Sequence, residues 1–270
     1  MIRHIKIVTG VLLIGMLFSF TASTKENNKK VAYQTGEALT YRIHYGFFNA
    51  GEATIHIHSK IHDINNKGCY RMNIYGKSTG AFSGVIKIRD TWRSYVDTAT
   101  FLPQKFYRNI QENKYRLKED MFYYTEQNKV KVQQTKKSGD VKIKEYEVPK
   151  DVHDIVSGYY YLRNLNYDEM PENEVVQINA FFEDKLYDFK IKYKGTETVK
   201  TKFGKISCHK LIPIMPDQEL FDGEESIIFY MSNDENKIPV KIRAEMFVGA
   251  VEVDLSGYSG LKYPFKTKKK

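Results

Sequence analysis

Three histidines and one arginine carry the chemistry this chain offers at first sight. His56 and His58 share one side of a strand-like stretch, and His44 precedes them across an expected hairpin. Three imidazoles on one sheet face would form an N₃ set of the kind that holds zinc. The plainer reading is a half-exposed polar face, because no carboxylate or cysteine completes the set at a recognised metal-site spacing. Arg163 lies in DVHDIVSGYYYLRNLNY, residues 151–167, where Val152, Ile155, Val156, Tyr159 and Leu162 repeat on one helical face. A guanidinium on that face must be paired, or its stem must reach an edge. Asp90 is the expected partner, since Ile86, Ile88, Asp90 and Trp92 share one face of a strand. In a functional reading the pair, with Tyr159, Tyr160 and Phe221 nearby, would anchor a carboxylate or phosphate headgroup at the floor of a cleft.

No catalytic constellation accompanies these residues. GYSG at 257–260 lacks the leading half of a nucleophile elbow, and there is no HExxH, phosphate loop or dinucleotide fingerprint. The adjacent carboxylates Glu224–Glu225 and Asp234–Glu235 fall in loop-like sequence, where solvation is the ordinary state. No catalytic residue is assigned and no cofactor is expected.

The elements that must position these groups are mostly strands. In ALTYRIHYGFFNAGEATIHIHSKI, Leu39, Tyr41, Ile43 and Tyr45 alternate with Thr40, Arg42 and His44, and the pattern resumes beyond a turn spanning Gly46–Gly51. Further alternating runs fill 36–148 and 174–256, with the 151–167 helix between them, started by Asp151 and stopped before Pro171. The switch of parity at Gly249–Ala250 predicts a bulge or bend within one strand. The long acidic loop at 213–226 stands as a candidate rim. The expected fold is all-β or β-rich α+β: a large curved antiparallel sheet, a half-open barrel, with one central helix on its concave face.

Residues 1–23 pair a basic start (Arg3, Lys6) with an apolar run from Ile7 to Phe20 and small residues after it, the layout of a signal peptide cleaved near Ala22–Ser23. A linker at 24–33, a single β-rich domain at 34–258 and a basic tail at 259–270 complete the expected organisation. Loss of Arg3 and Lys6 would lower the formal charge from +9 to +7, with the remaining basic residues scattered along strand exteriors. Nucleic acid is therefore not an expected partner, and no transmembrane span is expected in the mature chain. Cys69 and Cys208 lie in different halves, and the sequence leaves a disulfide and two buried thiols both open.

The order GEALTYRIHYGFFNAGEATI, IRDTWRSYVDTATFLPQKFYRNIQE, DIVSGYYYLRNL and NKIPVKIRAEMFVGAVEVDL resembles the exported bacterial envelope family named for the domain of unknown function 3108, over roughly residues 34–258. The resemblance implies an envelope protein of unassigned activity. The layout is also similar in outline to lipoprotein carriers of the LolA/LolB type. The leading expectation is a non-enzymatic carrier or binding protein, in the periplasm or at the cell surface, for a lipidic or amphipathic ligand or for an envelope protein. A protein- or glycan-binding module working through exposed strand faces is the alternative, and a hydrolase of unrecognised type is the third.

Overall fold

A computed structural model describes residues 31–214, 226–246 and 249–267. The first half of the chain forms β1 (Ala38–Tyr45), β2 (Phe48–Ile57), β3 (His62–Ile64), β4 (Lys67–Ser78), a one-turn helix α1 (Phe82–Val85), β5 (Arg89–Asp97), β6 (Pro103–Glu112), β7 (Tyr115–Tyr124), β8 (Lys129–Thr135) and β9 (Val141–Glu147). Helix α2 (Ile155–Arg163) follows. The second half forms β10 (Val175–Phe182), β11 (Lys185–Thr201), β12 (Gly204–Ile214), β13 (Ile227–Ser232), β14 (Pro239–Glu245) and β15 (Ala250–Ser259).

All the strands join one antiparallel sheet, ordered β10-β11-β12-β13-β14-β15-β1-β2-β4-β5-β6-β7-β8-β9, with β3 beside β4. Both halves are meanders, and β1 welds them by pairing with β2 on one side and β15 on the other. The free edges are therefore β9 and β10, the strands on either side of α2. Curvature brings those edges together. Tyr146 of β9 meets Phe181 of β10 at a ring separation of 5.0 Å, Lys144 binds Asp184 in the β10–β11 turn, and Trp92 stacks on Phe182 at 5.8 Å. Edge closure of this kind leaves fewer open backbone groups for aberrant pairing.

Helix α2 packs against β4, β5 and β10. It begins later than its apolar pattern predicts. The segment before it is extended, because His153 bridges Ala180 at the β10 edge in parallel. The cap is consequently Asp154, not Asp151. Its carboxylate accepts from the amides of Val156 (2.8 Å) and Ser157 (2.9 Å), and Ser157 Oγ accepts from the Asp154 amide, a reciprocal capping box. Beyond Arg163 the chain leaves the helix, and Tyr167–Glu169 makes only a short 3₁₀ turn.

Three other boundaries also move. Ala32 and Tyr33, in the expected linker, are core residues, with Tyr33 edge-on to Tyr160 at 4.9 Å. The start of the expected basic tail is docked: Tyr263 and Asn236 exchange hydrogen bonds of 2.9 and 3.0 Å, and Phe265 meets Tyr258 at 4.8 Å. The parity switch at Gly249–Ala250 marks a complete turn, β14 to β15, where the Met246 amide donates to the Gly249 carbonyl. The expected signal peptide, Phe221 and nearly all of the 213–226 loop lie outside the described residues.

Candidate functional site

The interior of the barrel holds the residue with the strongest claim in the sequence, and it is occupied by protein. Arg163 is 0% exposed and pairs with Glu37, also 0% exposed, through both carboxylate oxygens (Nη2–Oε2 2.9 Å). The Asn236 carbonyl accepts from Nε (3.0 Å) and Nη2 (2.9 Å), the Ala32 carbonyl accepts from Nη2, and the rings of Tyr33 and Tyr160 flank the guanidinium at 5.5 and 5.4 Å. Every contact of a buried charge is thus compensated, as the low dielectric requires. The expected pairing with Asp90 does not form. Strand parity places Asp90 on the inner face correctly, yet it says nothing of position along the barrel. Asp90 sits at the β4–β5 end, opposite Gly76, whereas Glu37 sits at the other end, beside Ile57.

Tyr159 and Tyr160 are buried around Arg163 rather than placed at a cleft mouth, and burial raises both phenols well above their ordinary range. Eight of the nine α2 residues are buried, the polar and small ones included. The helix is therefore an internal plug, with Tyr161 alone half-buried.

Asp90 belongs to a second buried charge cluster. It accepts the Gln111 amide at 2.9 Å, and its carboxyl is pushed up to about 7, chiefly by burial and then by the neighbouring Glu112. Arg108 beside it makes a two-pronged pair with Glu119 (2.7 and 3.2 Å), reaches Glu183 at 3.3 Å and covers the Phe182 ring at 4.8 Å. Gln134 satisfies the same Glu119 at 2.6 Å. These groups link the β5–β8 wall to the tip of the β10–β11 hairpin.

The expected three-histidine set is divided between two places. Ala38 is the β1 partner of His56, so His44 lies six positions further along β1, roughly 20 Å away at about 3.4 Å per residue. His58 instead meets His62, Nδ1 to Nε2 at 3.0 Å. His44 joins Asp254 (2.7 Å) and Glu252 (3.5 Å), a trio whose ligand atoms lie close enough for a metal. Those carboxylates are already neutralised: Lys241 binds both, at 2.9 and 3.1 Å, and Arg243 binds Glu252 at 2.9 Å. An ion entering there would have to displace an ammonium. Cys69 and Cys208 are free and buried, on β4 and β12, six strand spacings apart in the sheet; burial pushes both thiols up to about 12.

Sequence reasoning missed an open cleft among the described residues. On the outer face, Lys241, Asp254, Arg42, Glu52 and Lys77 form one cross-strand row over β14, β15, β1, β2 and β4. Such rows stabilise sheets when charges alternate. Lys241 and His44 take Asp254, and Lys77 takes Glu52 at 3.0 Å, so Arg42 stands between two engaged carboxylates and makes no ion pair among the described residues. The β11–β12 turn brings Lys200, Thr201 and Lys202 over this face. Together with Val240, Lys241, Asp254, Leu255 and Ser256 they enclose a cleft of about 420 Å³. Four cations face one carboxylate there. Beside it, Phe203, Tyr258 and Phe265 make an aromatic cluster, with ring separations of 5.2, 6.1 and 4.8 Å. This arrangement can hold an anionic group among cations and lay an apolar portion along the rings.

An antiparallel sheet curled around one buried helix, with its polar cleft outside, defines a β-barrel-like class of protein. A family model described as a protein of unknown function (DUF3108) matches residues 40–256, and the chain belongs to that family. Among solved structures, the β-barrel-like protein of the domain of unknown function DUF1849 from Brucella abortus is similar, with a TM-score of 0.54 at 10% identity over 85% of this chain and 99% of that one. A candidate exported protein with a YmcC-like fold from Bacteroides fragilis gives 0.36 at 10% identity over 90% and 99%. A candidate lipoprotein from Parabacteroides distasonis gives 0.35 at 9% over 87% and 100%. The first shows a shared fold, and the other two carry no argument. No curated protein matches the sequence. Among the described residues, no helix is long and apolar enough to cross a membrane.

Proposed function

We propose that this chain is an exported, non-catalytic envelope binding protein for an amphipathic ligand with an anionic head. The head binds Arg42, Lys200 and Lys202, and the apolar portion lies against Phe203, Tyr258 and Phe265. The observation that carries this reading is the convergence of three cations without carboxylate partners among the described residues in one cleft. Arg163, the anchor the sequence favoured, is engaged by Glu37 and closed off from solvent, which supports a reading with the ligand outside the barrel.

Dodecyl phosphate, titrated calorimetrically below its micellar concentration, tests the proposal. It binds the parent chain, and inorganic phosphate binds more weakly because it lacks the buried alkyl part. Combined Arg42→Ala, Lys200→Ala and Lys202→Ala weakens dodecyl phosphate by about tenfold or more, since each charge-assisted contact is lost. Equal affinity in parent and variant overturns the proposal.

A further inference from the structure

His58 and His62 are carried by two pieces of chain that pair with the same strand. The His58 amide donates to the Arg71 carbonyl at 2.9 Å just beyond β2, and His62 of β3 pairs with Cys69. Residues 59–61 leave the ladder between them. Asn65 and Asn66, both at positive φ (56° and 59°), make the tight β3–β4 turn and so set the register of β3. Both imidazoles are thereby held beside β4, half-buried, with Nδ1 of His58 3.0 Å from Nε2 of His62. Tyr95 stands edge-on to the His62 ring at 5.8 Å. His56, two residues before His58, places its ring 6.3 Å from that of His58.

A separation of 3.0 Å suits two chemistries. With one proton between the nitrogens it is a hydrogen bond. With a divalent ion about 2.0–2.1 Å from each nitrogen, adjacent ligands stand about 2.9–3.4 Å apart, which is the same spacing. Coordination asks for little rearrangement. His62 moves its proton from Nε2 to Nδ1, a change of tautomer without a change of charge. The Lys60 amide gives up a long contact of 3.3 Å to His58 Nδ1, and Lys60 lies in the exposed 59–61 bend.

The surroundings choose the ion. Cys69, the partner of His62, donates its thiol to the Lys67 carbonyl at 3.3 Å, so the donors are imidazoles alone. Lys60, Arg71 and Arg93 add positive charge nearby, both guanidinium groups being turned to Asn73 Oδ1 at 3.4 and 2.8 Å. Neutral nitrogen ligands beside cations do not suit the hard ions that take carboxylate oxygens. They favour the divalent ion that imidazole binds most strongly, which is copper(II), above zinc.

We infer that His56, His58 and His62 form a copper(II) site on the outer wall of the barrel. His58 and His62 are the preset pair, and His56 is the third ligand after a turn of its side chain. The site shares no residue with the cleft, so either can fail alone.

Electron paramagnetic resonance of the full-length chain with one equivalent of copper(II) tests it. Parent and variants are compared in the same form, so that any contribution from His4 is common to all. The parent shows a tetragonal signal coupled to three imidazole nitrogens. His58→Gln and His62→Gln each lose it, His56→Gln keeps a signal with one nitrogen fewer, and His44→Gln changes nothing. Near-ultraviolet dichroism verifies the fold of each variant. Selective broadening of the His58 and His62 imidazole resonances in the copper-treated parent checks the site without any substitution. A parent spectrum of copper in buffer alone, a signal that survives His58→Gln and His62→Gln, or an unchanged nitrogen count in His56→Gln overturns the inference. Loss of the signal in His44→Gln would move the copper to the His44, Glu252 and Asp254 trio and also overturn it.

Discussion

Arg163 and Glu37 lie 126 residues apart in sequence and meet in the core as a bidentate ion pair from which solvent is excluded. The pair fastens the C-terminal end of α2 to the residue that leads into β1, the strand joining the two halves of the sheet. Separating such a pair leaves a charge buried alone, and the cost is about 3–5 kcal/mol. Replacing both partners with apolar residues removes that penalty along with the attraction. In denaturant unfolding, Arg163→Met and Glu37→Leu should each destabilise by about that amount, while the double variant recovers much of the loss. Additive single effects would show that the two groups act independently.

The Asp90–Glu112 pair makes stability depend on pH. The Asp90 carboxyl is raised in the fold from 3.8 to about 7, because burial and the neighbouring Glu112 favour its protonated form. A carboxyl raised on folding contributes stability that is fully present below its unfolded value and is lost as pH rises through its folded value. The contribution therefore declines between about pH 4 and pH 7. Asp90→Asn keeps an acceptor for the Gln111 amide and adds a donor towards Glu112, so it should be more stable than the parent at pH 8 and lose that advantage near pH 4. Parallel pH profiles of parent and variant would remove Asp90 as the source.

The trio of His44, Glu252 and Asp254 should not hold zinc. Lys241 and Arg243 already occupy the carboxylates, and displacing an ammonium opposes metal entry. Titration with micromolar zinc should leave the His44 imidazole resonances of the parent in place. Lys241→Ala is the informative variant, because it removes the ammonium from both carboxylates, leaving Glu252 to Arg243 alone, and should create measurable affinity. Tight zinc binding by the parent would reverse this assignment.

The sequence carries local information well and long-range register poorly, and the residues show where the boundary falls. Alternation along Ile88, Asp90 and Trp92 places all three inside, and apolar spacing locates α2 between two blocks of strands. Both patterns depend on a period of two or 3.6 residues within one element. Which acid meets Arg163 depends on depth along a barrel, and Glu37, directly before β1 in a polar-looking stretch, carries no signal of its burial. The cleft was equally hidden. Arg42 reads as an ordinary outward residue of a hairpin until strand order sets it beside Asp254 and a turn more than 150 residues away supplies Lys200 and Lys202. His44 and His56 share a parity too, and only the β1–β2 register shows the distance between them.

The central claim is that the ligand's anionic head binds outside the barrel while α2 and the Arg163–Glu37 pair close the interior. A crystal structure of the chain with dodecyl phosphate measures this directly. The account predicts the phosphate among Arg42, Lys200 and Lys202, the alkyl chain along Phe203 and Tyr258, and the Arg163–Glu37 pair unchanged. A phosphate on Arg163 with Glu37 displaced, or an alkyl chain between α2 and the sheet, would contradict it.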